Sequence, residues 1–68
     1  MKLSARNQLK GEIIEIKEGP VSTEVIVEIG GSRIVSSITT TSAKEMNLMA
    51  GDKAYVVIKA SSVMIAKD

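Results

Sequence analysis

The sequence contains no cysteine and no histidine. Without cysteine there is no disulfide framework and no thiolate metal site. Without histidine the chain also lacks the commonest zinc ligand, the usual general base and the side chain that titrates near neutrality. Aromatic residues are almost missing, since Tyr55 stands alone with no Phe and no Trp. Proteins that hold single-stranded nucleic acid stack bases on aromatic rings inside a basic groove. One ring and a formal net charge of +1 provide neither part. No apolar run approaches the roughly eighteen residues of a membrane span. Met1, Lys2 and Leu3 lead directly into polar residues, not into the apolar region of a signal peptide. The expectation is a soluble cytoplasmic protein with neither a nucleic-acid nor a membrane partner.

Catalysis is not expected either. A nucleophile–base pair would have to combine Ser or Thr with Lys59 or Lys44. Glu12, Glu15, Glu24 and Glu28 alternate with apolar residues, as the outer faces of strands do, and serve to keep edges soluble. No resident metal or cofactor is implied. With 68 residues the chain is one small domain. Domains of this size need a staple or a partner, so an aliphatic core reinforced by oligomerisation is expected. The adjacent apolar pairs Ile13-Ile14 and Val25-Ile26-Val27 would leave a monomer greasy on both strand faces.

What is present is mostly strand. Residues 9–18 carry Ile13, Ile14 and Ile16 among Glu12, Glu15 and Lys17, and Gly19-Pro20 breaks the run. In residues 21–29, Val21, Thr23, Val25, Val27 and Ile29 share one face, and Ile26 hints that the other is partly covered. Gly30-Gly31 predicts a tight hairpin. Residues 32–39 return, with Ile34, Ser36 and Ile38 inward. Ser42 with Glu45 three residues on reads as a capping box opening a short helix that runs to Leu48. A fourth strand over 53–60 and a short fifth over 62–66 complete the pattern. Five strands with one helix between the third and fourth predict an all-β OB-fold, a partly open Greek-key barrel. An SH3-like barrel has no regular place for that helix.

Three short stretches remain, each rich in hydrogen-bond donors and each at a strand end. Ser4, Ala5, Arg6, Asn7 and Gln8 precede the first strand; Thr39 and Ser42 flank the helix start; Lys59, Ala60 and Ser61 close the fourth strand. Arginine and lysine only donate, and hydroxyls and amides are able to. Such a set suits a partner that only accepts, which is an anion. The alternative for each residue taken singly is ordinary: a turn or helix cap for Ser4 and Ser42, a surface ion pair for Arg6, a solvated strand end for Lys59.

Ser-Ala-Arg-Asn-Gln followed by Leu-Lys-Gly resembles the opening of the molbindins, the small Mop-type proteins whose fold recurs as the TOBE domain. The resemblance continues through Ile38-Thr39, Ser42 and the run from Ile58 through Lys59-Ala60-Ser61-Ser62 to Val63, Met64 and Ile65. It implies an OB-fold, a hexamer built as a trimer of dimers, and storage of molybdate or tungstate between subunits, with molybdenum bound only as the oxyanion. It implies ligand roles for Ser4, Ala5, Arg6, Thr39, Ser42, Lys59, Ala60 and Ser61. Two other classes remain open: an adaptor OB module docking onto a larger protein, and single-stranded nucleic-acid binding.

Overall fold

Period-two alternation of aliphatic and polar side chains builds four strands here, and each ends where backbone chemistry stops the pairing. The computed structural model describes residues Met1–Asp68. Strand β1 spans Asn7–Glu18, β2 Ser22–Ile29, β3 Ser32–Thr39 and β4 Lys53–Ile58. A six-residue helix, α1 (Thr40–Glu45), lies between β3 and β4, and a 3₁₀ turn over Ala60–Ser62 follows β4. Every pairing is antiparallel, in the order β3-β2-β1-β4.

The two adjacent isoleucines of β1 are accommodated by a bulge. The register with β2 slips between Ile13 and Glu15, so Ile13 faces Val27 while Ile16 faces Val25. The extra residue restores the inward direction after Ile14, and bulges of this kind also add local twist. Ile13, Val25, Val27 and Val56 form the buried core, with Ile16, Ile34, Ile38, Leu48 and Ile58 packed around it. At the bulge, the Ile13 N–H donates to the Asp52 carbonyl and the Gly51 N–H donates to the Ile13 carbonyl, at 2.9 and 2.7 Å. That loop delivers β4 to the first half of β1, whereas β2 takes the second half.

Two glycine sites explain themselves. Gly30 and Gly31 have φ of +55° and +86°, the positive values that a tight hairpin asks of its central residues. Gly11 has no such angle, but a Cβ there would lie 2.5 Å from the Glu28 carbonyl oxygen and 2.6 Å from Ile29 Cγ1. Gly11→Ala must therefore push backbone or repack the strand, with an expected loss of about 1–3 kcal/mol. A urea midpoint equal to that of the parent would show that β1 and β2 separate more easily than this contact implies.

Several expectations need correction. β1 starts at Asn7, not Leu9, because Asn7 and Gln8 pair with Ile58 and Val57 of β4. Val21 lies outside β2 and is exposed. The helix is capped by Thr39, whose Oγ1 accepts from the Ser42 N–H at 3.0 Å; Ser42 sits inside the first turn, and no Ser42–Glu45 box forms. Four hydroxyl residues in succession, Thr39 to Ser42, can each cap, and the one at the end of β3 wins because Thr40 is buried. The helix stops at Glu45, and Asn47 takes a φ of +52°, the left-handed geometry that asparagine tolerates after a helix. β4 ends at Ile58, before Lys59 and Ala60, because the 3₁₀ turn begins there.

The expected fifth strand does not form within the chain, which pairs four strands in one antiparallel sheet. Val63 is extended, and Val63, Met64 and Ile65 lie outside any strand, with Met64 and Ile65 about nine-tenths exposed. A strand signal in sequence needs a neighbouring edge, and β3 and β4 remain the two edges of the single sheet. The chain is correspondingly open. Its accessible surface is 5460 Å², where a compact monomer of 7.2 kDa would show about 4,100 Å². No helix is long and apolar enough to cross a membrane.

Candidate anion-binding site

β1 and β4 end together. Asn7 is the first residue of β1, Ile58 the last of β4, and they are Cα partners. The segments leaving the sheet there are Ser4, Ala5 and Arg6 on one side and Lys59, Ala60 and Ser61 on the other. Antiparallel pairing thus brings two donor stretches from opposite ends of the sequence to one end of the sheet. Ser4, Arg6, Lys59, Ala60 and Ser61 are exposed, and Ala5 is half-buried.

Their donors are uncommitted. The chain contains one ion pair, Lys53 to Glu12 at 2.9 Å, so neither Arg6 nor Lys59 meets a carboxylate. The ordinary reading of Arg6 as half of a surface ion pair does not hold within the chain. In the 3₁₀ turn the Ser62 and Val63 N–H groups donate back to the Lys59 and Ala60 carbonyls, at 2.9 and 3.2 Å. The N–H groups of Ala60 and Ser61 open that turn and have no acceptor within it. The two carboxamides behave differently from what the donor cluster suggests. Asn7 Nδ2 donates to the Ile58 carbonyl at 3.3 Å, and Gln8 Nε2 donates to the Ala5 carbonyl at 2.9 Å.

Thr39 and Ser42 lie elsewhere. Thr39 pairs with Ser22 at the start of β2, and Thr23 pairs with Glu18 at the end of β1. They therefore stand at the far end of β1 from Arg6, separated by its twelve residues, a contour of about 40 Å. No hydrogen bond or ion pair joins the two groups. The Thr39 hydroxyl donates to Ser42 Oγ at 2.7 Å while accepting the Ser42 N–H. No hydrogen bond in the chain uses the Ser42 hydroxyl proton, which leaves it as the donor free to face outward. Two of the first three helix N–H groups are already bound, Thr40 to the Val21 carbonyl and Ser42 to Thr39.

One support for this second cluster was not visible in the sequence. Thr23 and Thr40 are buried and share a hydrogen bond at 2.7 Å, and Thr40 Oγ1 also donates to the Gly19 carbonyl at 2.6 Å. The only available signal was a threonine at an inward position of β2. The pair anchors the start of α1 against β2 and the β1–β2 turn. Thr40→Val should cost about 1–3 kcal/mol by leaving buried polar groups unpaired; a thermal midpoint within error of the parent would argue that the network carries no such weight.

The largest hollow, about 410 Å³, is not part of the site. It sets Glu12 and Glu28 beside Lys10 and Lys53 at the hairpin end, and its carboxylates would repel an oxyanion. A second, apolar hollow of about 240 Å³ opens over the core between Ile13, Ile38, Leu48, Tyr55 and Val56.

The sequence matches the TOBE domain family over residues 3–65. A probable molybdenum-pterin-binding protein of Haemophilus influenzae is 50% identical over 66 residues, covering 96% of each chain. Among solved structures, MopII from Clostridium pasteurianum superposes with a TM-score of 0.91 at 42% identity, over 97% of this chain and 100% of that one. A molybdate-binding protein from Sporomusa ovata gives a TM-score of 0.94 at 33% identity, over 98% of this chain and 100% of that one.

Proposed function

The chain belongs to the TOBE domain family, as one of its Mop-type molbindins, and from that premise we propose that it binds and stores molybdate without catalysing a reaction. The observation that carries the reading is the pair of unpaired cations, Arg6 and Lys59, held with free donors at one end of the sheet and with no carboxylate among them. Molybdate is a dianion at neutral pH whose four oxygens accept and never donate. A shell of guanidinium, ammonium, hydroxyl and backbone N–H meets it without an opposing acceptor. Hydrogen bonds to charged groups contribute roughly 1.5–3 kcal/mol each, so a few of them reach the ~8 kcal/mol of micromolar affinity. Molybdenum enters only inside the oxyanion, and no cofactor is needed.

The placement of Thr39 and Ser42 argues that the shell is completed between chains. Ser4, Ala5, Arg6, Lys59, Ala60 and Ser61 form one half, and Thr39 with Ser42 of a neighbouring chain the other. Assembly has independent support in the open surface, the apolar hollow and the unpaired alternation at Val63, Met64 and Ile65. We take the tail of one chain to be the fifth strand of its neighbour's barrel. Closure of such an arrangement as a hexamer, a trimer of dimers, follows the family resemblance.

Calorimetry tests the function directly. Molybdate and tungstate share charge and size and should bind with nearly equal affinity. Sulfate is smaller, so a rigid shell cannot reach all its oxygens, and phosphate carries a proton that would face a donor, costing about 1–3 kcal/mol. With no histidine in the chain, affinity should stay flat between about pH 6 and 8. No heat with molybdate would end this reading and favour an adaptor module whose apolar faces dock on another protein. Displacement of molybdate by equal sulfate or phosphate would end the donor-only, size-selective shell.

A further inference from the structure

The amides of Asn7 and Gln8 lie inside the donor cluster yet spend a donor each on a backbone carbonyl. Gln8 Nε2 donates to the carbonyl of Ala5, between Ser4 and Arg6. Asn7 Nδ2 donates to the carbonyl of Ile58, immediately before Lys59. Both side chains belong to half-buried residues, in contrast to the exposed Ser4, Arg6 and Lys59. Each contact ties down one carbonyl: Ala5 inside the first donor segment, and Ile58 at the end of β4, directly before the second. A backbone carbonyl turned toward a dianion is repulsive, and the six residues before β1 have no ladder to prevent that turn.

We propose that Gln8 and Asn7 are positioning residues: they hold the Ala5 and Ile58 carbonyls so that only donors of residues 4–6 and 59–61 face the anion. This rests on the reading of those segments as the molybdate site. Gln8 makes the stronger case, because its 2.9 Å contact reaches from β1 back to Ala5, and no other side-chain hydrogen bond holds the segment before β1. Asn7 acts at a strand end that the β1–β4 ladder already holds, so its removal should matter less.

The test compares three Gln8 variants by molybdate calorimetry across pH. Gln8→Met keeps the length and loses the donor, and should weaken binding about tenfold at every pH, with the parent's far-ultraviolet circular dichroism. Gln8→Glu can donate to the Ala5 carbonyl only while protonated, and an ordinary glutamate titrates near about pH 4.3. Its hydrogen bond to the carbonyl favours the neutral form and moves that value upward. Its affinity should therefore fall as pH rises above about 5 and stay low from about 6 to 8, where the parent stays flat. Gln8→Asn keeps the amide on a shorter arm and should recover part of the loss; it also carries the comparison if the methionine variant does not fold. Parent-like affinity for Gln8→Met, or a flat profile at parent affinity for Gln8→Glu, overturns the proposal. A parent protein that gives no heat with molybdate overturns instead the assignment of the site.

Discussion

Arg6→Ala is expected to lower molybdate affinity by at least a hundredfold while leaving the fold unchanged. The guanidinium offers a planar fork that meets two oxygens at once. Two charge-assisted hydrogen bonds at roughly 1.5–3 kcal/mol each amount to two or more factors of ten, at about 1.4 kcal/mol per factor. Arg6→Lys keeps the charge and loses the fork, so it should recover only part of that loss. Lys59→Ala removes a point charge and one such contact, for a loss of about tenfold or more. Arg6 is exposed and pairs with no carboxylate. Removing it breaks no ion pair, and the urea midpoint should move by no more than a surface substitution does, about 0.5 kcal/mol. That separation of affinity from stability is the diagnostic feature. Variants at both positions that bind like the parent would remove these residues from the site.

Strand positions were legible because alternation is local. Inward Val25, Val27 and Val56, the double-glycine hairpin and the bounds of β3 follow from the pattern of side chains alone. The bulge after Ile13 was signalled by two adjacent isoleucines, but where it would fall depended on the loop at Gly51 and Asp52 docking there, a contact between distant residues. The helix cap was misplaced for a related reason. Thr39, Thr40, Thr41 and Ser42 are locally equivalent as caps, and burial of Thr40 against Thr23 selects the first of them.

The candidate site could be read from sequence as an inventory of donors and not as a geometry. Donor-rich stretches at strand ends pointed to an anion, and the β1–β4 register does bring residues 4–6 and 59–61 to one end. Composition could not reveal that Asn7 and Gln8 turn inward to backbone carbonyls. Nor could it reveal that Thr39 and Ser42 belong to the other end of β1, because that follows from pairing order alone. The fifth strand shows the same limit in reverse. Alternation at residues 63–65 is a genuine strand signal, but a strand exists only where an edge receives it.

If the tail joins subunits as proposed, stopping the chain after Ser62 converts the proposed oligomer into a monomer, with loss of molybdate binding. The removed segment carries Val63, Met64 and Ile65, and the last two are almost fully exposed in the isolated chain. Burying side chains of this size stabilises by about 1.5–3 kcal/mol each, and an added strand also supplies main-chain hydrogen bonds along an open edge. The surface proposed to receive it is the apolar hollow of about 240 Å³ over Ile13, Ile38, Leu48 and Val56, at a sheet whose β3 and β4 edges are unpaired. Exchange in a symmetric pair is reciprocal, so each interface would lose two tails at once. The remaining core, centred on Ile13, Val25, Val27 and Val56, lies wholly before the cut, and the truncated chain should retain its strand signal in circular dichroism. Ile65→Asp tests the same contact at full length, since a charge cannot enter an apolar hollow unpaired. Light scattering gives the mass and calorimetry the affinity. If the truncated chain kept the parent's mass, the tail would not be the strand that joins the subunits. If it became monomeric yet still bound molybdate at the parent's affinity, the site would be complete within one chain, and Thr39 and Ser42 would have no part in it.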